Sequence, residues 1–270
     1  MRTLFDRVAV VTGAGSGIGR ATSERLAERG CHLALVDVNE AGLAATAAQV
    51  RAGGRRVSTH VADVSDADRM AALPGEVLDR HGACHVLVNN AGVTSAGRYE
   101  DDELDDVRWM VGINVWGVLH GCKFFLPVLR EADEAHIVNL SSMVAFVGLP
   151  QNAVYSLTKG AVRAFTEALR AELIDSRIGV TAVFPGAINT NIMAAARGAE
   201  SERLATMARS RLAPVLLRSP DAVARKIVRA IDKDKPRVLV GPDAHLFDLT
   251  ARVLPGRSGL VGRAVNRMTG

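Results

Sequence analysis

Apolar residues recur along the chain in short, nearly continuous runs, separated by longer stretches that mix alanine with charged residues. Such runs are typical of parallel strands that are covered on both faces. The predicted strands are Val8–Val11, Leu33–Asp37, Arg56–Val61, Val86–Val88, His136–Leu140, Val180–Phe184 and Val238–Val240. The stretches between them predict helices over Gly17–Arg29, Glu40–Ala52, Asp66–Arg80, Asp105–Arg130, Ala153–Ser176 and Pro220–Asp232. This alternation predicts an α/β fold with one doubly wound, mostly parallel seven-stranded sheet and helices on both faces.

The chain shows no sign of division into separate domains. Its 270 residues contain no Pro-, Gly- or Ser-rich linker, internal repeat or low-complexity tract, so residues 1–240 are predicted to form a single domain. Residues 241–270 form a C-terminal extension that mixes leucines with four arginines. This extension could pack on the same domain or a neighbouring subunit, close over a substrate, or lie on a lipid surface, as basic amphipathic helices do.

A glycine-rich loop follows the first predicted strand and leads directly into a helix. It reads Thr-Gly-Ala-Gly-Ser-Gly-Ile-Gly over residues 12–19. Glycines permit a tight turn, and the free N–H groups of a helix N-terminus can bind a pyrophosphate. The strand before the loop and the helix after it make the signal more specific than glycines alone. The predicted phosphate-binding residues are Gly13, Ser16, Gly17, Ile18 and Gly19.

An acidic residue, Asp37, stands at the end of the second predicted strand, 18 residues after Gly19. Its carboxylate can accept hydrogen bonds from both ribose hydroxyls of an adenosine and would repel a 2′-phosphate. Val38, also a predicted cofactor-binding residue, follows at the position where an arginine could otherwise bind that phosphate. The sequence therefore favours NAD over NADP. The alternative is that Asp37 is a loop carboxylate or a cap for the next helix.

Tyr155 and Lys159 lie four residues apart in a predicted helix, and therefore on one face of it. A phenol has a pKa of about 10 and is a poor base at neutral pH. A nearby ammonium stabilises the phenolate, so we expect Lys159 to lower the pKa of Tyr155. The phenol could then take a proton from an alcohol, or return one to a ketone, while a hydride moves. Taken alone, the pair also fits a surface contact.

Two serines after the fifth predicted strand supply a candidate third group. Ser142 lies 13 residues before Tyr155. Loops after parallel strands gather at the carboxyl edge of the sheet, where ligands bind, and a hydroxyl there can hold a substrate oxygen. Ser141 is the competing candidate, and the spacing to Tyr155 favours Ser142.

Together these motifs resemble those of the short-chain dehydrogenase/reductase family, in its compact, single-domain, Rossmann-type branch. The similarity runs from about Val8 to Val240, nearly the whole chain. One departure is His85, where many relatives carry Asp before the strand. Several motifs in the right order are far more specific than any one of them. In chain order they are Thr12–Gly19, Asn89–Gly92, Asn114, Ser142, Tyr155 with Lys159, and Pro185–Gly186 with Thr190.

The resemblance implies a catalytic group of four residues. Tyr155 would be the acid/base, Lys159 would tune it and bind the nicotinamide ribose, and Ser142 would orient the substrate oxygen. Asn114 would hold a water in a proton relay to Lys159. Considered separately, Asn114 could simply bond a backbone carbonyl.

The resemblance also implies the rest of a cofactor site, from the adenine to the nicotinamide carboxamide. Considered separately, Asp63 could cap the following helix, and Pro185–Gly186 could be only a turn. The implied residues are Asp63, Val64, Asn90, Ala91, Gly92, Pro185, Gly186, Ile188 and Thr190, joined by Tyr155 and Lys159.

Residues 190–218 would form, by the same resemblance, a flap over the substrate. Apolar residues there could line a lipophilic pocket, and arginines such as Arg197 and Arg218 could grip an acidic group. An amphipathic helix with a solvated basic face is the alternative. Relatives also pair through the two long helices, so a homo-oligomer, a dimer or tetramer, is expected.

Composition narrows the partners and the compartment. The net charge of +4 is spread along the chain, and with two Trp, two Tyr and seven Phe a nucleic-acid surface is not expected. We expect no transmembrane segment, since no 18-residue window is wholly apolar, and the N-terminus lacks a signal-peptide layout. Three cysteines without repeated spacing predict reduced thiols and a cytoplasmic location. His81, Cys84 and His85 lack an evident fourth ligand, so no metal is expected.

The sequence thus leads to one functional hypothesis, the reversible, NAD-dependent oxidation of a lipophilic secondary alcohol to a ketone. A 3-oxoacyl thioester reductase using NADPH is the alternative enzyme, and Asp37 argues against it. An NAD-sensing binding protein is the non-enzyme alternative, although such a sensor has no need of the proton donor Tyr155. A membrane-surface scaffold that uses the C-terminal extension is a third class.

Overall fold

Seven strands form one parallel sheet, in the order β3-β2-β1-β4-β5-β6-β7. The computed structural model describes residues 1–188, 196–198, 217–256, 259 and 263. The predicted fold class is confirmed, and each predicted run matches one strand closely. The strands are β1 (Val8–Thr12), β2 (His32–Asp37), β3 (Val57–Val61), β4 (Val86–Asn89), β5 (Ala135–Leu140), β6 (Ile178–Pro185) and β7 (Arg237–Val240).

Helices cover both faces of the sheet. Its strands are therefore buried on both sides, which explains why each consists of a nearly continuous run of apolar residues. Leu26 and Ile227 belong to the core on one face, and Met70 and Phe125 to the core on the other. Short 3₁₀ segments occur at Tyr99–Asp101 and Met143–Ala145. The helices are α1 (Gly17–Glu28), α2 (Glu40–Ala52), α3 (Ala67–His81), α4 (Leu104–Val111), α5 (Gly117–Glu131), α6 (Ala153–Glu172), α7 (Pro220–Asp232) and α8 (Pro242–Val253).

The strand order reverses at β1, which has β2 on one side and β4 on the other. In open α/β sheets, ligands bind at such a switch point, at the carboxyl ends of the strands. The loops after β1 and β4 are joined here by side-chain hydrogen bonds. Asn90 Nδ2 donates to Thr12 O at 2.8 Å, and Thr12 Oγ1 accepts from the backbone N–H groups of Asn90 and Ala91, both at 3.0 Å. The fold therefore brings the two predicted cofactor loops side by side.

The long predicted helix Asp105–Arg130 is interrupted by a π-helical turn. This turn spans Gly112–Trp116, between α4 and α5. A π turn inserts an extra residue into a helix and is frequent at functional sites. Asn114, one of the predicted catalytic residues, lies within it.

Among the described residues, one helical run, Leu104–Glu131, is long and apolar enough to cross a membrane by length and composition alone. This run joins α4, the π turn and α5. Core helices of globular proteins pass the same test, and α5 packs Val118, Cys122 and Phe125 against the sheet. The run is therefore weak evidence for a membrane span.

The C-terminal extension contains a helix, α8, that the sequence analysis did not predict. Pro242 is its first residue and Asp243 lies in its first turn, both of which favour a helix start. The helix packs on β7 and on the 3₁₀ segment Met143–Ala145, with Ala244 buried. The leucines of α8 are exposed on its outward face. Its apolar residues therefore do not mark the face that packs on the sheet.

Replacing Gly121 by alanine is expected to destabilise the protein. A Cβ at Gly121 would lie 2.1 Å from Oδ1 of Asn89, a buried side chain on β4. The helix would have to move away from the sheet, which lowers the free energy of unfolding by about 2 kcal/mol, as overpacked cores do. Urea denaturation followed by circular dichroism would measure the change.

Gly160→Ala is the matched control, because Gly160 also lies inside a helix. A Cβ there has no neighbour within 4 Å in the described parts of the chain. Alanine should therefore raise the free energy of unfolding by about 0.5 to 1 kcal/mol through helix propensity. Equal shifts in both variants would contradict the close packing of α5 on β4.

Candidate active site

The glycine loop after β1 is packed too closely for larger side chains. A Cβ on Gly19 would lie 2.0 Å from Gly13 O, and one on Gly13 would lie 2.8 Å from Nδ2 of Asn90. Gly13 and Gly17 also have positive φ angles, of 65° and 52°. The loop ends at the first turn of α1, where backbone N–H groups lack partners within the helix. This arrangement fits the phosphates of a dinucleotide.

The Asp37 carboxylate at the end of β2 faces the glycine loop. Its Oδ2 accepts from Gly15 N at 2.8 Å, and its Oδ1 accepts from Asn39 N at 2.9 Å. A Cβ on residue 15 would lie 2.9 Å from that Oδ2. The cap of α2 is Asn39, whose side chain accepts from Gly42 N. Asp37 therefore does not have the alternative role of a helix cap.

Asp63 forms a turn after β3 rather than capping α3. Its Oδ1 accepts from the backbone N of Ser65 at 2.8 Å and from the Ser65 hydroxyl at 2.7 Å. The N-cap of α3 is Asp66. The neighbouring Val64 is buried, and a Cβ on Gly117 would lie 2.5 Å from its Cγ2. The predicted adenine loop is thus held against the start of α5.

A cleft of about 390 Å³ opens at the switch point. Four of its lining residues, Ala62, Val93, Trp109 and Ile113, were missed by the sequence analysis. Trp109 and Ile113 are four residues apart, which places them on one face of the long helix, and that spacing could have indicated them. The other lining residues are predicted ones: Gly13, Ser16, Gly17, Ile18, Asp37, Val38, Asp63, Val64, Asn90, Ala91 and Gly92.

Tyr155 and Lys159 lie in the first turns of α6, beside the exit of β5. Lys159 Nζ donates to Leu140 O at 3.0 Å and lies 5.7 Å from the centroid of the Tyr155 ring. Ser142 lies close enough to Tyr155 to act against the rise in the pKa of its phenol. The Ser141 hydroxyl instead donates to Lys159 O at 2.8 Å. Ser141 is thus engaged by the backbone of α6, which leaves Ser142 as the candidate partner of Tyr155.

Gly92 connects the cleft with this group. A Cβ on Gly92 would lie 3.4 Å from Lys159 Nζ and 3.2 Å from Asn114 Oδ1. Gly92 itself lines the cleft. The predicted cofactor residues and the predicted catalytic residues therefore form one continuous site.

Burial controls the acid–base properties of the pair. Burial raises the pKa of Tyr155 to about 12, although the nearby Ser142 acts in the opposite direction. Burial lowers the pKa of Lys159 to about 8. Desolvation of the phenol thus dominates the net shift of Tyr155, and the lowering expected of Lys159 stays a prediction. Opposite shifts in two neighbouring groups are typical of acid–base sites.

The Asn114 side chain is fully buried and is bonded to protein groups. Its Oδ1 accepts from Val93 N at 2.8 Å, and its Nδ2 donates to Val93 O at 2.9 Å and to Thr158 Oγ1 at 3.1 Å. Both amide hydrogens are thereby used. The structure thus shows Asn114 as a tie between the loop after β4, the π turn and α6. The water-holding role stays a prediction.

Strand β6 is the neighbour of β5 in the sheet, so its carboxyl end lies beside the segment that carries Ser142 and Tyr155. Gly186 N donates to Val240 O at 2.9 Å, which continues the pairing of β6 with β7. The Ile188 side chain is buried in the core, so its backbone is the part left for a ligand. Thr190 and most of the predicted flap, residues 189–195 and 199–216, lie outside the described residues.

Arg197, one of the arginines that could grip an acidic group, is bound to α4 in this structure. Its Nη1 donates to Asp106 Oδ1 at 3.0 Å, and its guanidinium lies 4.0 Å above the centroid of the Trp109 ring. Because Trp109 lines the cleft, residues 196–198 are anchored at the edge of the site.

The family model for the short chain dehydrogenase matches residues 7–201, most of the chain. The chain belongs to the short-chain dehydrogenase/reductase family. A Mycobacterium tuberculosis protein named as the oxidoreductase SadH is 38% identical over 256 residues, which cover 94% of this chain and 93% of SadH. This short-chain dehydrogenase is accordingly an oxidoreductase.

Solved structures of the family agree with the fold. A short-chain dehydrogenase/reductase from Burkholderia phymatum in complex with NAD matches with a TM-score of 0.84 and 33% identity, over 94% of both chains. A 3-ketoacyl-(acyl-carrier-protein) reductase from Brucella melitensis, complexed with NADH, matches with a TM-score of 0.75 and 29% identity, over 88% of this chain and 97% of that one. The NAD-bound structures support a nucleotide cofactor for this short-chain dehydrogenase.

Replacing Lys159 by methionine is expected to stabilise this short-chain dehydrogenase. The pKa of Lys159 falls from 10.5 to about 8 on folding, so the folded state disfavours the ammonium. The resulting penalty is complete below about pH 8 and disappears as the pH rises to 10.5. Lys159→Met should therefore raise the free energy of unfolding by about 1 to 3 kcal/mol at pH 7, and by less at pH 10.

Urea titrations at pH 7 and pH 10 would measure this difference. Lys123→Met is the control, because Lys123 is an exposed lysine on α5, and its effect should be small at both pH values. A Lys159→Met protein that is less stable than wild type at pH 7 would show that the hydrogen bond to Leu140 outweighs the buried charge.

Proposed function

We propose that this protein catalyses the reversible oxidation of a lipophilic secondary alcohol to a ketone, with NAD as its cofactor and Tyr155 as the acid/base. The observation that carries the proposal is the position of Tyr155. Tyr155 lies near Ser142, has Lys159 Nζ 5.7 Å from its ring centroid, and belongs to the first turns of α6, beside the carboxyl end of β5. Gly92 links this group to the glycine-lined cleft.

Each residue has a defined task in the proposed reaction. NAD, when bound, supplies the acceptor of the hydride. Tyr155 removes the hydroxyl proton of the alcohol, and returns it in the reverse direction. Ser142 holds the substrate oxygen near that phenol. Lys159 tunes the phenol from 5.7 Å above its ring and binds the nicotinamide ribose.

The surroundings of Asp37 support NAD over NADP. The carboxylate is fixed by Gly15 N and Asn39 N, so it stays beside the glycine loop. Arg20, the nearest cation, donates to Gly15 O and, through Nε, to Thr46 Oγ1 at 2.9 Å. Its guanidinium is therefore already bonded to protein groups, and Asp37 would repel a 2′-phosphate.

A 3-oxoacyl thioester reductase is the second candidate. It is favoured by the similarity to the Brucella melitensis 3-ketoacyl-(acyl-carrier-protein) reductase, which was solved with NADH. Asp37 therefore separates the two candidates less clearly than the sequence analysis expects. The substrate distinguishes them, since the reductase would act on a thioester of an acyl chain.

We further propose that the protein works as a homo-oligomer in the cytoplasm. Trp116 on the long helix and Leu157 on α6 are 54% and 61% exposed, and these are the helices through which relatives are expected to pair. Large exposed apolar side chains on two adjacent helices favour an interface. The three cysteines are buried and free, which agrees with a reducing compartment.

Tyr155→Phe is expected to lower turnover by at least about 1,000-fold, because the variant has no group to accept the alcohol proton. NADH binding should change little, since the ring remains. Steady-state rates with a panel of secondary alcohols, and NADH titration by fluorescence, would measure the two effects. Tyr99→Phe is the control at the chain's other tyrosine, which is 62% exposed. Retained turnover in Tyr155→Phe would exclude Tyr155 as the acid/base. A wild-type protein that binds NADH but oxidises none of the alcohols would instead favour a binding protein.

The wild-type enzyme is expected to prefer NADH to NADPH by about 100-fold or more in kcat/KM, because Asp37 repels the 2′-phosphate. Asp37→Ala should reduce this preference at least about tenfold. Glu40→Ala, at an exposed carboxylate near the same loop, should leave the preference unchanged. A wild-type preference for NADPH would overturn the cofactor assignment.

A further inference from the structure

The backbone after β6 is held by groups from the C-terminal part of the chain. Ala187 N donates to Asp243 Oδ2 at 2.6 Å, and Ala187 O accepts from Arg218 N at 3.0 Å. Asp243 lies in the first turn of α8. Residues 186–188, which we name the β6 exit loop, are therefore fixed on one side by a carboxylate and on the other by a backbone amide.

The carboxylate of Asp243 occupies a slot formed by two glycines. A Cβ on Gly186 would lie 2.1 Å from both of its oxygens, and a Cβ on Gly241 would lie 2.2 Å from Oδ1. Gly241 has a φ of 111°, which glycine adopts readily. Asp243 Oδ1 also accepts from Ala244 N at 3.0 Å, and a carboxylate is favoured at a helix N-terminus. The slot is thus matched to a charged acceptor.

We infer that Asp243 is a positioning residue for the nicotinamide half of the cofactor. This inference rests on the proposed function and on the nicotinamide contacts that the family resemblance implies for Gly186 and Ile188. Asp243 acts on that loop through Ala187 N, since a charged acceptor fixes a backbone amide more strongly than a neutral one does. The family model matches residues 7–201, so α8 contributes to the cofactor site from beyond the matched region.

The adenosine half of the site provides an internal reference. It is formed by the loops after β1, β2, β3 and β4, which contribute Gly13, Asp37, Asp63 and Asn90 to the cleft. Asp243 belongs to the opposite half of the sheet edge, after β7. Loss of Asp243 should therefore weaken binding of the complete dinucleotide and spare binding of ADP-ribose, which lacks the nicotinamide.

The test compares NAD⁺ and ADP-ribose by isothermal titration calorimetry on the full-length protein. Asp243→Ala should weaken NAD⁺ binding by about tenfold or more, the usual cost of removing a charged hydrogen-bond partner. ADP-ribose affinity should stay within about twofold of wild type. Asp243→Asn keeps one oxygen acceptor for Ala187 N but loses the charge and the second acceptor, so it should recover part of the NAD⁺ affinity.

Asp248→Ala is the matched control for a merely structural role. Asp248 is an aspartate of the same helix, and it pairs with Arg237 at 2.7 Å and with Arg252 at 3.1 Å. This variant should lose stability without changing the ratio of the two affinities. If Asp243→Ala does not fold, Gly241→Ala is the alternative test. Its methyl group displaces the same carboxylate, so it should weaken binding of NAD⁺ and not of ADP-ribose.

The remaining outcomes are distinguishable. If Asp243→Ala weakens NAD⁺ and ADP-ribose equally, or neither of them, Asp243 does not position the nicotinamide. If Asp243→Asn is as weak as Asp243→Ala while Gly241→Ala binds normally, the inference is also overturned. A wild-type protein that binds neither ligand would instead contradict the proposed function itself.

Discussion

The site depends on one buried ammonium. Lys159 is 4% exposed and is held by the Leu140 carbonyl at the end of β5, while Gly92 leaves room for it on the side of the cleft. Burying a charge is costly unless it gains partners, and the shift in the pKa of Lys159 to about 8 reflects that cost. Desolvation also raises the pKa of Tyr155 to about 12, although its side chain is only partly buried. The parallel sheet, with a core on each face, provides the stability that tolerates this arrangement.

Most of the fold could be predicted from the sequence, because two-sided burial gives every strand an apolar run. The interruption of the long helix could not. It is followed directly by close packing at Gly117, against Val64, and at Gly121, against Asn89, and such contacts join residues far apart in the chain. The helix α8 was missed for a different reason. Its outward face carries the exposed leucines, so its apolar residues do not mark the face that packs.

The local motifs of the site could be predicted, whereas effects that depend on surroundings could not. The glycine loop and the Tyr155–Lys159 spacing are properties of short segments. The rise in the pKa of Tyr155 depends on burial by the whole fold, which the spacing does not reveal. Trp109 reaches the cleft from α4, and Arg197 is bound to that helix instead of being free for a ligand. The link between Asp243 and Ala187 joins positions 56 residues apart, beyond the reach of any motif.

The π turn at Gly112–Trp116 gives α4 and α5 independent orientations. An α-helix rotates by about 100° per residue, so removing one residue from the turn to make a regular helix would swing one segment around the other. Either Phe125 would leave the sheet, or Trp109 would leave the cleft. The extra residue therefore allows α4 to face the ligand cleft while α5 faces the core.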